Sequence, residues 1–403
     1  MLVGLDQLFS GQLSTVRKRL RGESFAVLTH AAAIDRRGRH TLELLEELGA
    51  TPEVVFSPEH GLDGVAQAEE AVADQGEEGA PHVVSLYGSD RASLTPKAEV
   101  LSGLRTLVID LVDVGSRYYT YVWSALLAAR AAQAQGVHTL VLDRPNPISG
   151  DPQLTEGIPQ DPDHLSFVGL EPVPIRHGLT VGELLAHFFA RDGLPLGPDG
   201  ALSVAGTRGW ERYQTAMAHH RPFVPPSPNM PTLETALVYP GACLIEGTNL
   251  SEGRGTTTPF QTVGAPFLDG VALARELGEL GTPGCLIRPV RFRPMFEKHH
   301  GSVCSGVMIH VTNPQLFRPV ATYLSLIWLA HRQAPDHFEF LTRVYEFETD
   351  KLAFDLLCGS ARVREAILAG SHVEDVVSLL APPPHDWAET VLAAEARVQE
   401  MQL

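Results

Sequence analysis

Lysine is scarce in this 403-residue chain: only Lys18, Lys97, Lys298 and Lys351 stand among 31 basic side chains, and the rest are Arg. Positive charge is short altogether. Against 48 acidic residues the formal net charge is −17, so the chain lacks the basic surface that nucleic acid or an anionic membrane face demands. No stretch reaches the ~18 apolar residues that span a bilayer. The opening Met1-Leu-Val-Gly-Leu-Asp-Gln7 has neither the basic nor the apolar part of an export signal, and the expected location is cytoplasmic. The four cysteines, Cys243, Cys285, Cys304 and Cys358, are far apart and form no C-x-x-C. That argues against a structural zinc site and for buried free thiols in a reducing compartment.

Catalytic signatures are missing too. There is no G-x-x-x-x-G-K-[ST], which removes a nucleoside triphosphatase, and no G-x-G-x-x-G after the first strand, which removes the main case for a dinucleotide. No G-x-S-x-G elbow or H-E-x-x-H appears. His219-His220 and His299-His300 are adjacent pairs, whose rings point apart on regular structure. No cofactor and no metal are expected. Repeats, low-complexity tracts and charge runs are absent, and nothing in the sequence signals an oligomeric state.

What the chain does have is alternation. Short apolar runs at Phe25–Thr29, Glu53–Phe56, Arg105–Leu111 and His138–Leu142 read as buried strands. Helical spacing lies between them, at Thr41–Gly49, at about Thr120–Gln135, and at Thr180–Arg191 with Thr180 and Glu183 in capping-box positions. Strands so arranged predict a parallel sheet covered on both faces, an α/β fold. From Pro222 to Pro240 six prolines argue against a helix, and the domain boundary is set there. Residues 1–225 form the α/β domain. Residues 226–403 form a smaller α+β domain with a Gly/Thr-rich loop at 247–258, a strand at Ser302–Val311 and helices from about 315 onward.

In open α/β sheets ligands sit beyond the carboxyl ends of the strands. Three successive strand ends carry dense polar groups in Pro- and Gly-stiffened loops: Ser57-Pro-Glu59-His60-Gly61, the run from Asp110 through Asp113 and Arg117 to Tyr121, and Asp143-Arg144-Pro-Asn146-Pro147. This edge is the predicted active site. Each residue also has a plainer reading. Glu59 is a general acid or a helix-first-turn acid. His60 assists it or only holds a hydrogen bond. Asp113 and Arg117, four apart, belong to the site or form an ion pair. Asp143 and Arg144 serve the site or brace their loop. Tyr118, Tyr119 and Tyr121 suit a sugar face or the core. In the second half the segment Ile245-Glu246-Gly-Thr-Asn249-Leu-Ser-Glu252-Gly-Arg254-Gly-Thr-Thr-Thr258 is the densest polar run; Glu246 and Glu252 serve chemistry or brace the loop. Asp350–Asp355 reads as structural. Carboxylates, arginines and tyrosines around a cleft are the equipment of glycoside hydrolysis.

The ordered motifs Pro58-Glu-His-Gly61, Leu86-Tyr-Gly88, Asp110-x-x-Asp113-x-Gly115-x-Arg117-x-Tyr119-Thr-Tyr121, Leu142-Asp-Arg-Pro-Asn-Pro147, Arg176-His-Gly178, Pro226-Ser-Pro-Asn-Met-Pro231 and Glu246–Thr257 resemble the NamZ family. The resemblance runs from about residue 4 to the C-terminus. It continues through Phe292-x-Pro-x-Phe296-x-Lys298-His299 and Cys304-x-Gly306-Val307. Family members, long catalogued as a domain of unknown function, are exo-β-N-acetylmuramidases that remove N-acetylmuramic acid from the non-reducing end of peptidoglycan fragments. The resemblance implies a Rossmann-like N-terminal domain without a nucleotide, a smaller C-terminal domain closing a cleft, and Glu59 as catalytic acid. His30 stands where members often have Asn, and Val112 where they often have Gln.

The expected partners are therefore peptidoglycan-derived muramyl sugars, handled in cytoplasmic wall recycling. The rival readings are an inactive sugar-binding relative and a non-hydrolytic enzyme on a small acidic metabolite. For the second carboxylate Glu252 is favoured, then Asp113. Muramic acid carries a lactyl carboxylate, which a chain of charge −17 repels unless a local cation holds it. Arg254, flanked by two glycines, is favoured, then Arg176, with Arg117 and Arg144 as further candidates. Tyr119, Tyr121, Asn146, Glu246 and Asn249 complete the expected substrate-binding set.

Overall fold

The computed structural model describes residues 1–74, 76, 81–401 and 403. Six strands, β1 (Phe25–Thr29), β2 (Val54–Ser57), β3 (His82–Ser85), β4 (Thr106–Asp110), β5 (His138–Leu142) and β6 (Leu202–Ala205), form one sheet in the order β3-β2-β1-β4-β5-β6. Every pairing is parallel. This is the Rossmann-like order, with the direction of winding reversing between β1 and β4. Strands β1, β4 and β5 are buried along their whole lengths, as strands covered on both faces must be. Apolar clusters lie on either side: one around Leu8, Leu20, Val27 and Leu44, the other around Leu28, Ile109, Trp123 and Leu185.

The helices Thr41–Glu47, Tyr121–Ala134 and Val181–Arg191 fall where the periodicity places them. Thr180 caps the last of these, its hydroxyl accepting from Glu183 N while the Glu183 carboxylate accepts from Thr180 N. The second half holds an antiparallel sheet, β7 (Thr262–Ala265), β8 (Cys285–Phe292) and β9 (Cys304–Val311), in the order β7-β9-β8. Helix Gly270–Glu279 packs on β8 and β9, and Pro319–Gln333 packs against that helix. The final helix, Trp387–Glu400, returns to Val181–Arg191, and Trp387 Nε1 donates to the His177 carbonyl at 2.9 Å.

The proline-rich stretch corrects one expectation. A helix does form at Leu233–Ala242, with Pro240 inside it. The ring removes one backbone donor, but the helix is buried and packs along Pro319–Gln333. Gly241 permits that approach, since a Cβ there would lie 2.0 Å from the Pro319 carbonyl oxygen. Packing outweighs the lost hydrogen bond. One apolar cluster runs through both halves, from Trp123 and Tyr119 to Phe260, Tyr323 and Phe354. All four cysteines are free, three buried and Cys285 half-buried. Among the described residues no helix is long and apolar enough to cross a membrane.

Candidate active site

The chain leaves β2 through Pro58 into a tight turn, with φ of 71° at His60 and 79° at Gly61. Glu59 therefore rides on a turn, and no helix begins there to make it a first-turn acid. It is 5% exposed. Its Oε2 accepts from the Thr120 hydroxyl at 2.6 Å, and its Oε1 lies 4.0 Å from His60 Nε2. His60 Nδ1 sits 2.8 Å from the Ala66 carbonyl oxygen. A carbonyl only accepts, so Nδ1 carries the proton and Nε2 is turned toward Glu59.

Glu59 and His60 line a cavity with about 470 Å³ of empty space, open solvent at its mouth included. Tyr118, Tyr119 and Thr120, from the loop after β4, form one wall, and Ser227, Asn229 and Met230 of the proline-rich segment form another. The second half closes it with Tyr239, Glu246, Arg254, Phe260, Tyr345 and Glu346. Backbone strain gathers here. Of the nine described non-glycine residues with positive φ, five lie in or beside this cavity: His60, Glu69, Phe260, Glu346 and Phe347. Such strain persists where the surroundings fix a side chain for use.

The Gly/Thr-rich loop places its charges as a chain. Arg254 Nη2 contacts Glu246 Oε1 at 2.6 Å and Arg254 Nε contacts Glu252 Oε1 at 2.7 Å. Lys298 Nζ reaches Glu252 Oε2 at 2.8 Å, and the Tyr345 hydroxyl donates to Glu246 Oε2 at 2.7 Å. Burial opposes ionisation of Glu252, but Lys298 and Arg254 outweigh it and hold its carboxyl down at about 2. Glu252 thus lies behind Arg254, off the cavity wall and committed to two cations.

Of the expected site, Glu59, His60, Tyr119, Glu246 and Arg254 meet at this cavity. The others stand elsewhere. Asp113 and Arg144 line a neighbouring space of about 630 Å³ with His219 and Arg221. Asp113 accepts from Gly115 N at 2.7 Å, and burial pushes its carboxyl up to about 7. Arg144 pairs with Asp110 at 2.5 Å, while Asp143 accepts from the Thr180 hydroxyl at 2.6 Å and serves the helix start. Arg117 makes no ion pair with Asp113. Its guanidinium donates to the carbonyls of Ile158, Val173 and Leu357. Arg176 donates to the Ile148 carbonyl at 2.6 Å. Asn146 and Asn249 brace backbone, bonding Ile148 N and the Leu179 carbonyl, and Glu339 N and the His337 carbonyl. Tyr121 backs the wall, its hydroxyl donating to the Pro226 carbonyl at 2.7 Å. Asp355 pairs with Arg364 at 2.8 Å, as a structural acid does.

Sequence reading missed Glu346, Glu69, Tyr239 and Tyr345, and took Tyr87 only as part of the Leu86-Tyr-Gly88 motif. The one available signal is Tyr345-Glu-Phe-Glu348, alternating aromatic and acidic residues in a segment without helical spacing. Among the described residues, no three His, Cys, Asp or Glu side chains are placed to hold a metal ion.

Family models described as exo-beta-N-acetylmuramidase NamZ, N-terminal and C-terminal, match residues 25–234 and 237–393. The chain belongs to the NamZ family. The peptidoglycan beta-N-acetylmuramidase NamZ of Bacillus subtilis (strain 168) is 39% identical over 381 residues, covering 93% of this chain and 86% of that one. Two DUF1343 family proteins of Bacteroides fragilis share the architecture in crystal structures, with TM-scores of 0.81 and 0.69 at 26% and 25% identity. Each alignment covers 100% of this chain and 98% of the other. The NamZ family match spans both halves of the cavity, so the residues that converge there come from both family segments.

Proposed function

We propose that this chain is an exo-β-N-acetylmuramidase, a glycosidase that releases N-acetylmuramic acid from the non-reducing end of peptidoglycan fragments. The observation that carries the reading is Glu59: a buried carboxyl held by Thr120 on a strained turn, beside His60, lining a tyrosine-walled cavity. In this reading Glu59 delivers a proton to the glycosidic oxygen as the bond to the anomeric carbon breaks. Tyr118, Tyr119 and Tyr239 offer the ring an apolar wall. Arg254 is the candidate for the lactyl carboxylate. Its Nε and Nη2 are engaged by Glu252 and Glu246, and Nη1 is the part of the fork left for a ligand. The four free thiols support a reducing compartment and thus a cytoplasmic role in wall recycling. The 39% identity over 93% of the chain to a peptidoglycan beta-N-acetylmuramidase favours this reading over the inactive-relative and small-acid readings.

The test uses a muramoyl–glucosamine disaccharide, whose unactivated leaving group needs the proton. Glu59→Gln keeps the fold by circular dichroism and lowers kcat at least ~100-fold. A variant turning over at the wild-type rate removes Glu59 from the mechanism. Arg254→Lys keeps a cation against Glu246 and Glu252 but loses the fork. It is expected to raise KM for the muramide while leaving kcat closer to wild type.

A further inference from the structure

We propose that Glu346 and Glu59, which line one cavity across the junction of the two halves, form a coupled carboxyl pair, with Glu346 the second acidic group of the reaction. The placement of Glu346 stands on the geometry of its turn, whereas its catalytic role rests on the muramidase reading.

Tyr345 and Glu348 bridge as antiparallel partners, with Tyr345 N to Glu348 O at 3.2 Å and Glu348 N to Tyr345 O at 2.9 Å. Glu346 and Phe347 are the two residues at the tip, with φ of 47° and 67°. Positive φ at both central positions is what a type I′ hairpin turn requires, and Asn and Gly adopt it at least cost. A Glu-Phe tip is costly backbone chemistry, so it is explained by what the side chains reach. Phe347 packs on Tyr87 at 5.4 Å between ring centroids. Glu346 Oε2 accepts from the Tyr87 hydroxyl at 2.9 Å, and Glu346 N donates to Glu69 Oε1 at 3.2 Å. Arg91 and Glu348 pair at 2.7 Å. Four contacts thus dock a turn of the second half onto the first half and leave its carboxyl in the cavity that Glu59 lines.

The groups around Glu346 are mostly acidic. Glu59 and His60 come from the turn after β2, Glu69 from the following loop, Tyr87 from beyond β3, Glu246 and Arg254 from the Gly/Thr-rich loop, and Arg343 and Tyr345 from its own segment. Arg254 is already neutralised by Glu246 and Glu252. Burial, then the charges of Glu59 and Glu69, push the Glu346 carboxyl well above the usual range, and the Tyr87 hydroxyl only partly offsets them. Two carboxyl groups in one site lose their protons in two steps that belong to the pair. The proton of the singly protonated pair belongs to the pair and not to Glu346 alone, so it is available for Glu59 to deliver to the leaving group while one carboxylate remains.

The experiment follows side-chain carboxyl resonances of 13C-glutamate-labelled protein through pH, in wild type, Glu346→Gln and Glu59→Gln, with circular dichroism as the fold control. Wild type is expected to show, besides Glu156 near pH 7, a second glutamate titrating above ~pH 6, beyond the ordinary range. Glu346→Gln loses it, and Glu59→Gln lowers its midpoint by about one pH unit or more. A wild type with no such resonance, or a midpoint unmoved by Glu59→Gln, overturns the pair. On the disaccharide, Glu346→Gln is expected to lower kcat at least ~100-fold and displace the alkaline limb of the pH–rate profile, and Glu346→Asp to recover part of both. Wild-type kcat and limbs in Glu346→Gln overturn the catalytic role. The titration needs no substrate, so a wild type with the shared titration and no muramide cleavage upholds the pair and overturns the muramidase reading.

Discussion

Buried between Glu246 and Glu252, Arg254 is neutralised twice, and Lys298 neutralises Glu252 a second time. Removing one charge from such a chain leaves the others buried and unpaired. Glu252→Gln is expected to cost about 3–5 kcal/mol in denaturant unfolding, without Glu252 touching the cavity. Its carboxyl is depressed from 4.5 to about 2 by its two cations, against burial. Its stabilisation is therefore complete above pH ~4.5 and lost as pH falls toward 2. Glu252→Gln flattens that acid limb, and an unchanged limb contradicts the assignment. At this scale the sequence shows Glu59, His60 and Arg254, because glycine and proline neighbours mark loops built to present a side chain. It does not show which side of a strand end a residue faces, and so Asp113 and Arg144 fall into the neighbouring space. Glu346 escapes because its partners, Glu59 and Tyr87, lie more than two hundred and fifty residues away.

The elements most exposed to sequence reading are those with a strong period or a cap: β1, β4, β5 and the helix that Thr180 starts. The Leu233–Ala242 helix is hidden because Pro240 argues locally against a helix that only tertiary packing stabilises. Loops position the site and carry their own constraints. In the loop after β4, Gly115 has φ of 76°, and a Cβ there would lie 2.3 Å from Asn146 Oδ1. Asn146 in turn holds Ile148 N and the Leu179 carbonyl. Gly115→Ala must shift two strand-end loops at once and adopt a left-handed backbone, so it is expected to lose at least ~2 kcal/mol. Equilibrium urea unfolding measures this, and a loss under ~0.5 kcal/mol contradicts the interlock.

At the scale of the whole molecule, one apolar cluster crosses both halves, and the turn at Tyr345–Glu348 and the helix Trp387–Glu400 both reach back from the second half. Calorimetry is expected to show one unfolding transition, and two separated transitions contradict the shared core. Three buried carboxyls, Asp113, Asp143 and Glu156, are each pushed up by burial to about 7. The folded state then binds protons that the unfolded chain releases, so these groups make stability fall as pH rises from ~4 to ~7. Asp113→Asn is expected to reduce that slope. The same scarcity of positive charge bears on substrate choice. A chain of net charge −17 gains an anionic sugar only through a placed cation, and among the described residues Arg254 is the arginine lining the cavity.

The central claim is that this cavity cleaves terminal β-N-acetylmuramoyl bonds and reads the lactyl group. The most direct measurement compares kcat/KM for matched muramide and glucosaminide substrates with the same leaving group. A site holding the lactyl carboxylate on a buried cation is expected to prefer the muramide by ~30-fold or more, about 2 kcal/mol. Equal rates on both, or cleavage of the glucosaminide alone, contradict the account.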